Sequence, residues 1–255
     1  MGVAAATPTR PPETERLTLP VVEIFGPTVQ GEGPEAGVPA HFIRFGACDW
    51  RCTWCDSMHA VDPHEVRANA ERLTPQQIVG RVRALEAGPG LVVLSGGNPA
   101  LLELGGLVVE LRSLGMRVAV ETQGSRWKPW LGEVDRLVVS PKPPSSGMAT
   151  ARNQDALRAF MANAEAAQTS AAVLKIVVFD AADLDWAAER HLEYPDVALY
   201  LSAGTDVGLD DGRTVAQLRD RYRWLCETVA RRSDLSDARV LPQLHVIAWG
   251  TAKGV

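Results

Sequence analysis

The feature that most constrains this chain is an alternation of short β-rich runs with longer amphipathic stretches. Strand-like runs fall at Leu19–Phe25, Ala40–Phe45, Leu91–Ser95, Arg117–Glu121, Arg136–Ser140, Ala172–Phe179, Val197–Leu201 and Val240–Ile247. Helical patterning lies between them. One helix is predicted from Thr74-Pro75-Gln76-Gln77, which supplies a capping hydroxyl, a proline at the first helical position and a glutamine at the third. Its apolar face is Ile78, Val79, Val82 and Leu85. Other helices are predicted near Pro99–Leu114, Asn153–Glu165, Asp183–Glu193 and Gly212–Arg231. Strand–helix alternation predicts an α/β fold of parallel strands with outer helices, either open or curled as a partial barrel.

The 255 residues suit one domain over residues 18–255, behind a flexible tail at residues 1–17. An apolar share of 46% with 22% charged residues excludes a chain that is mostly disordered, collagenous or coiled-coil. The net charge of −5 argues against direct binding of nucleic acid. Apolar runs such as Val173–Phe179, which Lys175 interrupts, are too short to cross a membrane. The N-terminus lacks a signal-peptide pattern, so a cytoplasmic location is expected.

In parallel α/β folds chemistry gathers at the C-terminal ends of strands. The polar motifs fall there. Ser95-Gly96-Gly97-Asn98 ends one strand, Glu121-Thr122-Gln123-Gly124-Ser125 the next and Ser140-Pro141-Lys142-Pro143 the one after. Arg44 ends an early strand, just ahead of a loop that holds three of the four cysteines, Cys48, Cys52 and Cys55. In a reducing compartment such a cluster is a metal or redox site. Three thiolates can hold three irons of a [4Fe–4S] cluster and leave the fourth iron open. With His59 four residues beyond Cys55, a Cys3His zinc staple is the competing reading. Cys226, on a helix with Leu218, Tyr222 and Val229, is expected to be a buried, inert thiol.

C-x3-C-x2-C with an aromatic residue before the last cysteine resembles the signature of the radical S-adenosylmethionine (SAM) superfamily. Further segments narrow the likeness: Gln30-Gly31-Glu32-Gly33, Phe42-Ile43-Arg44-Phe45, Trp54-Cys55-Asp56-Ser57, Gly96-Gly97, Glu121-Thr122-Gln123-Gly124, Ser140-Pro141-Lys142-Pro143 and Pro242-Gln243-Leu244-His245. Together, over about residues 19–250, they resemble 7-carboxy-7-deazaguanine synthases. The resemblance implies an incomplete (β/α) barrel. It implies conversion of 6-carboxy-5,6,7,8-tetrahydropterin to 7-carboxy-7-deazaguanine with loss of ammonia, feeding 7-deazapurines such as queuosine. The implied chemistry is electron transfer from the cluster to SAM, hydrogen abstraction at C6 of the pterin by a 5′-deoxyadenosyl radical, ring contraction and return of the hydrogen. Mg²⁺, a homodimer and a flavodoxin- or ferredoxin-type reductant belong to the same expectation. Alternatives are a glycyl-radical activase, or a binding module stapled by zinc on Cys48, Cys52, Cys55 and His59.

The resemblance also implies roles. Cys48, Cys52 and Cys55 hold the cluster. Trp54, Asp56, Gly97, Asn98, Ser140, Pro141, Lys142 and Ser202 meet SAM, with Gly96 and Gly97 letting backbone come close. Ser57 offers a hydroxyl to Mg²⁺, a hard ion that favours oxygen; a capping serine is the alternative. Val29, Gln30, Gly31, Glu32, Arg44, Ser95, Glu121 and His245 meet the substrate, Arg44 through its carboxylate and Glu121 through N–H groups. His245, on the last predicted strand, is a candidate for proton transfer. Asn98 stands where the family has Glu, and Ser202-Ala203 where it often has Gln-Pro.

Overall fold

A computed structural model describes residues 17–85, 88, 90–168, 172–206, 208, 211–250, 252 and 254. The predicted tail lies outside these residues except for exposed Leu17. The strands are β1 (Leu19–Val29), β2 (Pro39–Phe45), β3 (Glu71–Leu73), β4 (Leu91–Gly96), β5 (Arg117–Thr122), β6 (Arg136–Val139), β7 (Ala172–Val178), β8 (Leu199–Ala203) and β9 (Arg239–Leu241). They form one sheet in the order β3-β1-β2-β4-β5-β6-β7-β8-β9. From β2 to β9 every neighbouring pair is parallel. β1 pairs antiparallel with both β2 and β3. The sheet is therefore an unclosed β/α barrel of parallel strands, as expected, with an added antiparallel flank at β1 and β3.

The helices are α1 (Met58–Val61), α2 (Pro63–Asn69), α3 (Pro75–Ala84), α4 (Gly105–Ser113), α5 (Ala151–Ala166), α6 (Ala181–Glu193), α7 (Asp211–Val229) and α8 (Leu244–Trp249). α3 starts with the predicted capping box: Gln77 N donates to Thr74 Oγ1 at 3.3 Å and Thr74 N to Gln77 Oε1 at 2.8 Å. Ile78 and Val82 of α3 are buried, each contributing about 1.5–3 kcal/mol of apolar burial. The predicted Pro99–Leu114 helix splits, because Pro99–Leu101 forms a 3-10 turn and α4 begins only at Gly105. The predicted Val240–Ile247 strand also divides. Pro242, which has no amide to donate, follows β9, and α8 takes the remainder.

Strand alternation separates two chemistries. One face of the sheet carries Ile43, Phe45, Val92, Leu94, Val120, Leu137, Val139, Leu174, Ile176 and Leu201, packed with the helices in the main core. The other carries small and apolar residues near the strand starts, with Ala40, Leu91, Val93 and Ala119 clustered beside Phe42. Further along that face come Arg44, Ser95, Glu121, Lys175 and Ser202. Arg44 pairs in register with Ser95, Lys175 with Tyr200 and Val177 with Ser202. Among the described residues no helix is long and apolar enough to cross a membrane.

Candidate active site

The cysteine loop leaves β2 and is stitched to the end of β4. Gly97 N donates to Phe45 O at 2.9 Å, and Asn98 N to Ala47 O at 2.7 Å. A Cβ on Gly96 would lie 2.1 Å from Phe45 O, and one on Gly97 2.1 Å from Ala47 O. Gly96 also has a positive φ of 124°. Contact within the chain by itself requires glycine at both positions.

Cys48, Cys52 and Cys55 are free, half-buried thiols on this one loop. Burial raises all three, Cys55 to about 11, while the ammonium of Lys142 pulls each the other way. A nearby cation suits a group of thiolates that must lose their protons to bind metal. Three soft sulfur donors with a cation beside them fit an iron–sulfur cluster. His59, the fourth ligand of the zinc alternative, stands with Nε2 at 3.6 Å from Glu23 Oε1. Among the described residues no three His, Cys, Asp or Glu side chains converge as a ready single-ion site.

Around the loop lie the residues expected to meet SAM. Trp54 Nε1 donates to Ser145 Oγ at 3.0 Å, and the Trp54 ring lies 5.0 Å from Phe179. Lys142 Nζ sits 5.8 Å from the Trp54 ring centre and donates to Ser140 Oγ at 3.0 Å. Pro141 is buried and Asp56 is exposed. Ser202 is fully buried, and its hydroxyl has no hydrogen-bond partner among the described residues. An orphaned hydroxyl on the polar face of the sheet suits contact with a bound group. Asn98 is also fully buried, in a side-chain network with Asp49, Thr122 and Ser125.

Ser57 occupies the N-cap of α1 but makes no side-chain cap. Its hydroxyl donates to Asp56 Oδ1 at 3.0 Å and accepts from Arg44 Nη1 at 3.0 Å. Arg44 Nε in turn meets Glu23 Oε2 at 2.9 Å. Glu23 and Ser57 therefore fix the guanidinium plane at the end of β2.

The remaining substrate candidates converge on a buried cation that sequence reasoning noted only as an interruption. Lys175 is 4% exposed. Its Nζ pairs with Glu32 Oε2 and lies 3.4 Å from Glu121 Oε2. Gln30 Nε2 donates to Glu121 Oε1 at 2.7 Å, and Gln243 Nε2 to Glu32 Oε1 at 2.6 Å. Burial works to raise the Glu32 carboxyl, but attraction to Lys175 and His245, with hydrogen bonds from Lys175 and Gln243, lowers it to about 2. Lys175 is shifted upward because Glu121 and Glu32 outweigh its burial. Gly31 N donates to Gln30 Oε1 at 2.7 Å, and Val29 ends β1 beside them.

His245 joins this group from the first turn of α8, which corrects its placement on a strand. Leu244 N donates to Gly31 O at 3.0 Å, and a Cβ on Gly31 would lie 2.1 Å from His245 Nδ1. Lys175, Gln243, Gln123, Glu23 and Asp49 were missing from the predicted site. A lysine inside an apolar strand run was the available signal for the first, since a buried charge needs partners. Cys226, by contrast, is half-buried, so its expected burial is corrected.

The fold and the cysteine loop define a radical SAM enzyme, and the model of the radical SAM superfamily matches residues 42–142. The superfamily implies a [4Fe–4S] cluster and SAM. The 7-carboxy-7-deazaguanine synthase of Bacillus cereus is 41% identical over 243 residues, spanning 93% of this chain and 99% of that protein. That of Bacillus subtilis is 38% identical over 242 residues, spanning 93% and 98%. The crystal structure of QueE from Escherichia coli shares the fold at a TM-score of 0.65 and 21% identity, over 92% of this chain and all of that one. The chain belongs to the 7-carboxy-7-deazaguanine synthase family and is a lyase of deazapurine biosynthesis. That membership sets aside the activase and zinc-module alternatives.

Proposed function

We propose that this chain converts 6-carboxy-5,6,7,8-tetrahydropterin to 7-carboxy-7-deazaguanine and ammonia in a single domain over residues 18–255. The observation that carries the reading is the shared face of the sheet, where Arg44, Ser95, Glu121 and Lys175 stand beyond the cysteine loop. Cys48, Cys52 and Cys55 would hold the cluster, Trp54, Asp56, Gly97, Ser140, Pro141, Lys142 and Ser202 would form the SAM side, and Asn98 supports that side through its hydrogen bond to Asp49. Bound together, cluster and SAM would supply hydrogen-atom-transfer chemistry.

The chain's own residues bind, orient and hold protons. Arg44, fixed by Glu23 and Ser57, pairs with the substrate carboxylate. Glu32 and Glu121 accept from N–H groups of the pterin, and Lys175 keeps Glu32 ionised for that task. Backbone at Val29, Gln30 and Gly31 lines the same side, with Ser95 opposite Arg44 in register. His245, beside Gly31, exchanges a proton with the substrate. Ser57, with Asp56 beside it, would offer a hydroxyl oxygen to Mg²⁺. A homodimer, a flavodoxin- or ferredoxin-type reductant and a cytoplasmic location complete the proposal.

Anaerobic turnover tests it. Reconstituted protein with SAM, reductant, Mg²⁺ and 6-carboxytetrahydropterin should yield 7-carboxy-7-deazaguanine by mass spectrometry, and Cys52→Ala should yield none. A protein that cleaves SAM without this product refutes the substrate assignment.

A further inference from the structure

The family resemblance places a glutamate after the Gly96-Gly97 pair, and this chain has Asn98. The structure shows that Asn98 has no capacity left for a ligand. Its Oδ1 accepts from Thr122 Oγ1 at 2.8 Å and from Ala100 N at 3.2 Å. Its Nδ2 donates to Asp49 Oδ1 at 3.0 Å and to Ser125 Oγ at 2.9 Å. An amide offers two acceptor and two donor positions, and here all four are used.

The same contacts bring in a carboxylate from the cysteine loop. Asp49 lies between Cys48 and Cys52 and is exposed. Its Oδ1 receives both Asn98 Nδ2 and Gln123 Nε2, the latter at 2.6 Å. Among the described residues Asp49 Oδ2 receives no hydrogen bond. Gln123 Nε2 also approaches Cys48 Sγ at 3.6 Å. One amide thus touches both the Asp49 carboxylate and the Cys48 sulfur, which sets the carboxylate beside that thiol. The amino group of a SAM bound beside these cysteines would keep N–H bonds that need an acceptor.

We propose that Asp49 is the carboxylate that receives the SAM amino group, with Asn98 and Gln123 as the positioning residues that aim it. Asn98, at the strand-end turn, then serves as a donor to that acceptor. The inference rests on the proposed placement of cluster and SAM at Cys48, Cys52 and Cys55.

The test measures SAM binding by anaerobic calorimetry on reconstituted protein, with iron content and the electron paramagnetic resonance spectrum of the reduced cluster recorded for each variant. Asp49→Asn should lose about 10–100-fold in SAM affinity, the scale of one charge-assisted hydrogen bond. It should also weaken the spectral change that SAM induces. A SAM analogue with hydrogen in place of the α-amino group should bind Asp49→Asn and wild type equally. The double variant Asp49→Asn with Asn98→Glu should recover much of the lost SAM affinity. Gln123→Leu, which leaves the loop sequence intact, should lose about 3–10-fold at unchanged iron content, as one aiming hydrogen bond is removed.

Wild-type affinity in Asp49→Asn overturns the inference. So does an equal loss for SAM and for the amine-free analogue, which would mark a merely structural role. If Asp49→Asn fails to hold the cluster, an undiminished affinity in Gln123→Leu overturns it instead. A wild type that binds no cluster refutes the underlying placement and the inference together, whereas a wild type that binds SAM beside an indifferent Asp49→Asn refutes the inference alone.

Discussion

Replacing Lys175 with methionine removes the buried ammonium while keeping an unbranched side chain of similar length. The structure allows the cost to be worked out in two ways. Glu32 is held at about 2 against an ordinary 4.5. That difference corresponds to roughly 3 kcal/mol of preference for the ionised carboxylate in the folded protein. Breaking a buried pair by deleting one partner independently costs about 3–5 kcal/mol, because the other charge is left uncompensated. For a chain of this size the loss is about 6–20 °C in melting temperature. The sign with pH follows from the depressed carboxyl. Its stabilisation is fully present above about 4.5 and is lost as pH falls toward 2. Thermal melts followed by circular dichroism should show the full gap between wild type and Lys175→Met at pH 7. The gap should narrow as the pH is lowered through 4. Adding Glu32→Gln to Lys175→Met should recover part of the loss at pH 7, since the stranded charge is gone. A Lys175→Met protein melting within about 2 °C of wild type at pH 7 would refute the reasoning, since that corresponds to no more than about 1 kcal/mol.

Arg44→Lys keeps the charge but loses the planar fork, and KM for the pterin should rise about 10–100-fold in steady-state assays while iron content stays unchanged. Ser145→Ala removes the acceptor of the Trp54 indole and leaves fully buried Asp183 without its 2.6 Å hydroxyl partner. It should cost about 1–3 kcal/mol in chemical denaturation and alter Trp54 fluorescence. His59→Ala should leave cluster absorbance and iron stoichiometry as in wild type, because His59 is turned to Glu23; loss of iron in this variant would restore it as a ligand.

The parallel barrel strands and most outer helices were legible because burial of one apolar face dictates their period. The antiparallel flank was not. β3 is only three residues long, and two of them, Glu71 and Arg72, are exposed. Its pairing to β1 is carried by backbone, which leaves no side-chain signal. His245 was put on a strand because Val240–Ile247 is rich in apolar residues, and an apolar run has no period to distinguish strand from helix. The cysteine loop, Arg44 and Glu121 were readable because their spacing and strand-end positions are local. Lys175 was not assigned a role, because its partners Glu32 and Glu121 are 143 and 54 residues away. The Asn98 substitution was visible as a departure, while its meaning required Asp49 and Gln123 to be seen against it.

The tripeptide that ends β5 joins the two halves of the site. Side chains alternate between the faces of a strand, so consecutive residues serve different neighbours. Glu121 reaches Gln30 and Lys175 on the proposed substrate side. Thr122 reaches Asn98 in the turn after β4. Gln123, just beyond the strand, reaches Asp49 and Cys48 in the cluster loop. A shift of the β5 end therefore cannot move the substrate carboxylates without also moving the donors that aim Asp49. Packed interiors transmit such displacements rather than absorb them, because they contain few voids into which side chains can relax. Hydrogen transfer between two bound molecules depends on their separation to within about an ångström. Placing both sets of contacts on three adjacent residues at the end of β5 holds that separation with covalent geometry, whereas contacts carried by separate loops would let it drift.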